Sequence, residues 1–138
     1  MTSWLYPANV KFYNVLGAFT APKTYWPMNS KVEVNDLIYI YLAAPHKQIG
    51  FICKIEQVNF EQDEIIDQIK PYFKGDGKDG KSGKKFMQLK TIKSFALKEN
   101  SFTAYSLLKE NGLTGMLMGP RNLNNNQPLL HYIEEVTK

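Results

Sequence analysis

The chain has 138 residues, 43% of them apolar, and a formal net charge of +4. That is the length of one domain with enough apolar side chains for a core, which excludes an intrinsically disordered chain. No apolar run approaches the ~18 residues of a membrane span, and Met1–Trp4 lacks the start of a signal peptide. A cytoplasmic protein with no membrane association is expected. Cys53 is the one cysteine, so no internal disulfide can form and a reducing compartment fits. With His46 and His131 far apart, Cys and His are too few for a zinc site. No metal, no cofactor and no catalytic constellation is expected.

The chain opens on Trp4-Leu5-Tyr6, a short aromatic strand stopped by Pro7. In residues 9–19, Phe12, Val15, Leu16 and Phe19 have helical spacing, with Asn9 as the cap. Pro22 and Pro27 mark a loop that carries Tyr25 and Trp26. Asp36–Leu42 is β-branched and aromatic and reads as a strand. A second strand runs over 48–60, with Ile49, Phe51, Cys53 and Ile55 on one parity. These two form an antiparallel pair around the loop at Pro45.

Residues 61–73 are acidic and then amphipathic, with a break at Pro71. Residues 75–83 hold four of the nine glycines, so 74–84 reads as a flexible lysine-glycine loop. Strand character resumes over 86–97. Residues 103–111 form a helix stopped by Gly112, with Leu113 packing back. Asn126 and Pro128 open a last helix whose Leu129, Leu130, Ile133 and Val136 make one stripe. The economical fold is one α+β domain over 1–138, built on an antiparallel, barrel-like sheet.

The charge is unevenly placed. From Lys74 to Lys93 seven lysines face Asp76 and Asp79, a local +5 that leaves −1 for the rest. Lys81, Lys84 and Lys85 can contact phosphates, which gives affinity without sequence information. The plainer alternative is a soluble hairpin tip. Trp4, Tyr6 and Trp26 are candidates for stacking on bases, with core packing as the alternative use of each. Arg121, the one arginine, follows Gly119-Pro120. Its planar head suits phosphate or base recognition, and capping of loop carbonyls is its structural alternative.

Several stretches resemble a known family. They are Trp4-Leu5-Tyr6-Pro7-Ala8-Asn9, Tyr13–Phe19, the loop tryptophan Trp26, Val34-Asn35-Asp36 before Tyr39-Ile40-Tyr41, Phe86–Lys90, Leu108–Leu113 and Gly119-Pro120-Arg121. In order and spacing they are similar to EVE-type domains of the PUA superfamily, as at the front of bacterial proteins that end in an HNH nuclease. Asn35 stands where that pattern has glycine, and no nuclease half is present. The resemblance implies a PUA-like β-barrel of antiparallel and mixed strands with flanking helices. It also implies a pocket for a base flipped out of nucleic acid, with Trp4, Tyr6, Asn9, Trp26, Asn29, Arg121 and Asn122 around it.

The expected function is a non-enzymatic reader of a modified base, modified cytosine in DNA, with nucleic acid as partner and DNA favoured over RNA. Three alternatives stay open. One is an RNA-binding module of the same superfamily, and another a small ASCH-like hydrolase acting on a modified nucleoside. In the third, the chain serves a protein partner such as a nuclease supplied in trans.

Overall fold

A computed structural model describes residues 1–74 and 84–138. Among the described residues the strands and α-helices follow one another as β1 (Ser3–Ala8), α1 (Val15–Thr20), β2 (Thr24–Pro27), β3 (Leu37–Leu42), β4 (Gln48–Glu61), α2 (Gln62–Ile69), β5 (Lys85–Ser94), α3 (Tyr105–Glu110), β6 (Arg121–Asn122) and α4 (Gln127–Val136). The strands form one mixed sheet in the order β2-β5-β4-β3-β1-β6. β1 runs parallel to β3, and every other pairing is antiparallel. Among the described residues no helix is long and apolar enough to cross a membrane.

Both faces of the sheet are buried, which is why β1 and β3 read as continuous apolar runs. Trp4, Tyr6 and Ala8 point to one face, where Ile38, Ile40 and Leu42 meet Phe19 of α1. Leu5, Tyr39 and Tyr41 point to the other, against Leu108 of α3 and Leu129 and Ile133 of α4. A bulge between Ile40 and Tyr41 shifts the partner from Phe51 to Ile49. Ile49 consequently packs on the α4 side while Phe51 packs on the α1 side. Cys53 is fully buried beside Thr91, and burial pushes its thiol up to about 12.

Three expectations are corrected. The sheet does not close into a barrel: β2 and β6 end it on opposite sides, and no ladder joins them among the described residues. The end strands have four and two residues, and Pro27 and Pro120 supply no backbone donor there. The helix expected over 9–19 is a single short one at Val15–Thr20, capped by Asn14, whose side chain accepts from Gly17 N. Asn9 instead closes a turn by accepting from Lys11 N at 2.8 Å. Trp26 lies in the edge strand β2, opposite Met87 of β5, and not in a loop.

The remaining elements follow their local signals. Gly112 has φ +122 after α3, and Leu113 N donates back to Leu108 O at 2.9 Å. Asn126 caps α4 by accepting from Leu129 N. Asn35 has φ +76, a left-handed position that asparagine adopts more readily than most residues.

The start of the sheet is tied by one buried carboxylate. Asp36, 2% exposed, accepts from Thr2 N at 2.9 Å through one oxygen. Its other oxygen accepts from Trp4 Nε1 at 3.0 Å and from Glu33 N at 2.9 Å. An amide cannot accept on both sides, so Asp36→Asn must turn an NH₂ group against an N–H. This substitution is expected to lower stability by about 1.5–3 kcal/mol, read as a fall in the urea midpoint. A loss of under about 0.5 kcal/mol, the range of an ordinary surface substitution, would show that the carboxylate is not needed there.

Candidate nucleic-acid interface

Three bulges in the β4–β5 pairing, between Ile52 and Phe60, bend the long strand β4. β1 and β2 are four steps apart in the sheet order, yet residues of both line one cleft of about 500 Å³. Tyr6 and Pro7 come from β1, and Trp26 and Pro27 from β2. Asn9, Met28, Asn29, Lys84 and Phe86 complete the wall, with Met118, Gly119 and Pro120 on the rim.

Tyr6 is 3% exposed, and its hydroxyl accepts from Asn29 N at 3.3 Å. Burial pushes this phenol up to about 12, opposed by the Asn29 hydrogen bond and assisted by the Asp36 charge. Asn9 Oδ1 and Asn29 Oδ1 are each taken up by a turn, accepting from Lys11 N and Lys31 N at 2.8 Å. That leaves each side-chain amide its NH₂ group to offer. Trp26 is half-buried, with Tyr13 edge-on at 5.4 Å between ring centres and Phe19 tilted at 5.2 Å. Its plane is thereby held. Lys84 is exposed, and among the described residues no carboxylate lines this cleft. The site is an aromatic wall with donors around it, suited to a planar ligand that presents acceptors.

No protein-family model matches the chain. No curated protein matches it either. Solved structures do. A mutant of the ASCH protein from Zymomonas mobilis superposes with TM-score 0.66 at 9% identity, over 99% of each chain. A protein from Pseudomonas syringae gives 0.66 at 14% identity, again over 99% of each chain. Human THYN1, solved in complex with DNA containing 5-methylcytosine, gives 0.62 at 10% identity over 100% of this chain and 98% of that one. The chain shares the fold of these structures.

Within this fold, the sequence candidates divide. Tyr6, Asn9, Trp26, Asn29 and Lys84 meet at the cleft. Trp4 does not: it is 4% exposed in the core and its N–H is spent on Asp36. Asn122 is opposite Trp4 in β6, and its side chain accepts from Asn124 N at 2.9 Å. Arg121 takes its structural use, donating to Thr114 O at 2.9 Å and Met116 O at 2.7 Å. It shapes the loop whose next residues reach the rim. Lys85 pairs with Glu61, so its charge is locally compensated. Lys81 lies outside the described residues. Met28, Phe86 and Met118 were missed, because a lone methionine or strand phenylalanine carries no spacing signal. Among the described residues no group of His, Cys, Asp or Glu could hold a metal ion.

Burial gives the fold a pH dependence. Tyr6 and Tyr41 are each pushed up to about 12, and Tyr13 is raised as well. A phenol raised in the fold contributes its full stability below the unfolded value of about 10. That contribution falls as pH rises through 12. Part of the tyrosinate absorbance is therefore expected to appear only with unfolding, above about pH 11. A single absorbance step near pH 10 with the fold intact would contradict this burial.

Proposed function

We propose that this chain is a nucleic-acid-binding domain that reads a modified base, modified cytosine in DNA, turned out of the helix into the cleft between β1 and β2. The observation that carries the reading is the meeting of Tyr6, Asn9, Trp26, Asn29 and Lys84 around about 500 Å³. Trp26 offers a fixed ring on which an extruded base can stack. The amide NH₂ groups of Asn9 and Asn29 suit the O2 and N3 acceptors of cytosine. Lys84 supplies a phosphate contact at the rim. The end-to-end fold likeness to human THYN1, solved with 5-methylcytosine DNA, supports the same reading, as does the EVE-type sequence resemblance.

The ASCH likeness favours a second reading, hydrolysis of a modified nucleoside. That chemistry needs a lysine beside an acid or hydroxyl in the pocket. Here Lys84 and the Tyr6 hydroxyl line the cleft, Tyr6 Oη is engaged by Asn29 N, and among the described residues no carboxylate lines it. The lining suits recognition better than proton transfer.

The test is a titration of oligonucleotides carrying methylated, hydroxymethylated or plain cytosine at fixed salt, with RNA of the same sequence beside them. Tightest binding to a modified DNA is expected. Trp26→Ala should weaken it by about 1–3 kcal/mol, the worth of one stacked base. Lys84→Gln should lower the salt slope by about 0.9, and Lys85→Gln by less because Glu61 already pairs with it. Equal affinity for the three DNAs would remove the modified-base reading. Tighter RNA binding would move the function to the RNA-binding alternative, and no binding at low salt would remove nucleic acid altogether.

A further inference from the structure

The loop from α3 to β6 presents two large apolar side chains to water. Met116 is 72% exposed and Met118 is 81% exposed. Leu117 between them packs on the core cluster of α3 and α4, so the loop is anchored at its middle residue. Its backbone is also held, because side chains engage three consecutive carbonyls. Arg121 donates to Thr114 O at 2.9 Å and to Met116 O at 2.7 Å. Gly115 O accepts from Lys109 Nζ at 3.2 Å and from the Tyr105 hydroxyl at 3.4 Å. Gly115 has φ +65, a left-handed conformation that glycine adopts without strain. The methionines are thus offered to solvent by a loop that is fixed in place.

Position separates the two. Met118 lines the cleft between β1 and β2 together with Gly119 and Pro120, and Met116 does not. A Cβ added at Gly119 would meet nothing within 4 Å, so the surface beside Met118 is open to a close approach. Turning a base out of a duplex leaves a gap in the stack. Apolar side chains inserted between base steps offset part of that unstacking. Methionine suits the task, being long, unbranched and adaptable, with a polarizable sulfur that packs well on aromatic rings. It also brings no charge that would lose hydration between bases.

We propose that Met118 is a wedge that enters a DNA duplex at the place vacated by the extruded base. It is a positioning residue: Trp26 holds the base inside the cleft, and Met118 at the lip fills the gap behind it. The inference rests on the base-reading function proposed above, and it commits that function to double-stranded DNA.

The experiment measures affinity for a duplex carrying the modified cytosine and for the single strand of the same sequence. It compares wild type with Met118→Ala, Met118→Leu and Met116→Ala. Met118→Ala should bind the duplex about tenfold more weakly yet keep its single-strand affinity, because a single strand has no gap to fill. Met118→Leu should restore most of the loss, and Met116→Ala should match wild type on both DNAs. Mispairing the modified cytosine makes it easier to extrude, so the deficit of Met118→Ala should shrink on a mismatched duplex. Equal losses on duplex and single strand would overturn the wedge and make Met118 a wall contact of the base. Unchanged duplex affinity in Met118→Ala would overturn it too, leaving the exposed methionine to a protein partner. In both cases the base-reading function stands, since wild type still binds. Wild type that binds the single strand alone removes the wedge, and wild type that binds neither DNA removes the base-reading function together with it.

Discussion

The buried carboxylate of Asp36 holds together the part of the molecule on which the rest depends. It joins the chain start at Thr2, the indole of Trp4 and the turn before β3. Those bonds set the parallel register of β1 on β3, with Ser3 opposite Leu37 and Tyr6 opposite Ile40. A one-residue slip would exchange the faces of β1, putting Leu5 where Trp4 and Tyr6 belong. Charge-assisted hydrogen bonds in a dry setting are strong enough to specify that register. With it set, Tyr6 projects to the face where Asn29 reaches its hydroxyl.

The cleft is a product of curvature. β4 is long and repeatedly bulged, so its partner β5 carries β2 round toward β1. The sheet remains open because its end strands are short and flanked by prolines. In a closed barrel the space between the end strands β2 and β6 would be spanned by a ladder. Here it is left to side chains, and the turns at Asn9 and Asn29 direct their amides there.

Charge behaves differently in space than in sequence. The lysine-rich segment from 74 to 93 carries a net +5 by counting. Within the fold, Lys74 donates to Val10 O, Lys85 pairs with Glu61, and Lys93 donates to Thr137 O. Among the described residues, Lys84 is the member that lines the cleft. A charge engaged locally is a weaker anchor for phosphate than a free one, so position within the segment matters more than its sum.

By itself the sequence determined the α+β class, the central antiparallel pair, the last helix and its cap, and the stop at Gly112. These rest on contacts between near neighbours and on period-two or helical spacing, which a linear reading can see. Its aromatic residues also pointed to Tyr6 and Trp26, and the family resemblance to Asn9 and Asn29; all four line one cleft. Tertiary structure alone decided that Trp4 is core, that Arg121 caps the carbonyls of Thr114 and Met116, and that the sheet stays open. Each of these depends on what another segment presents in space: a buried carboxylate, two bare carbonyls, an end strand too short to pair.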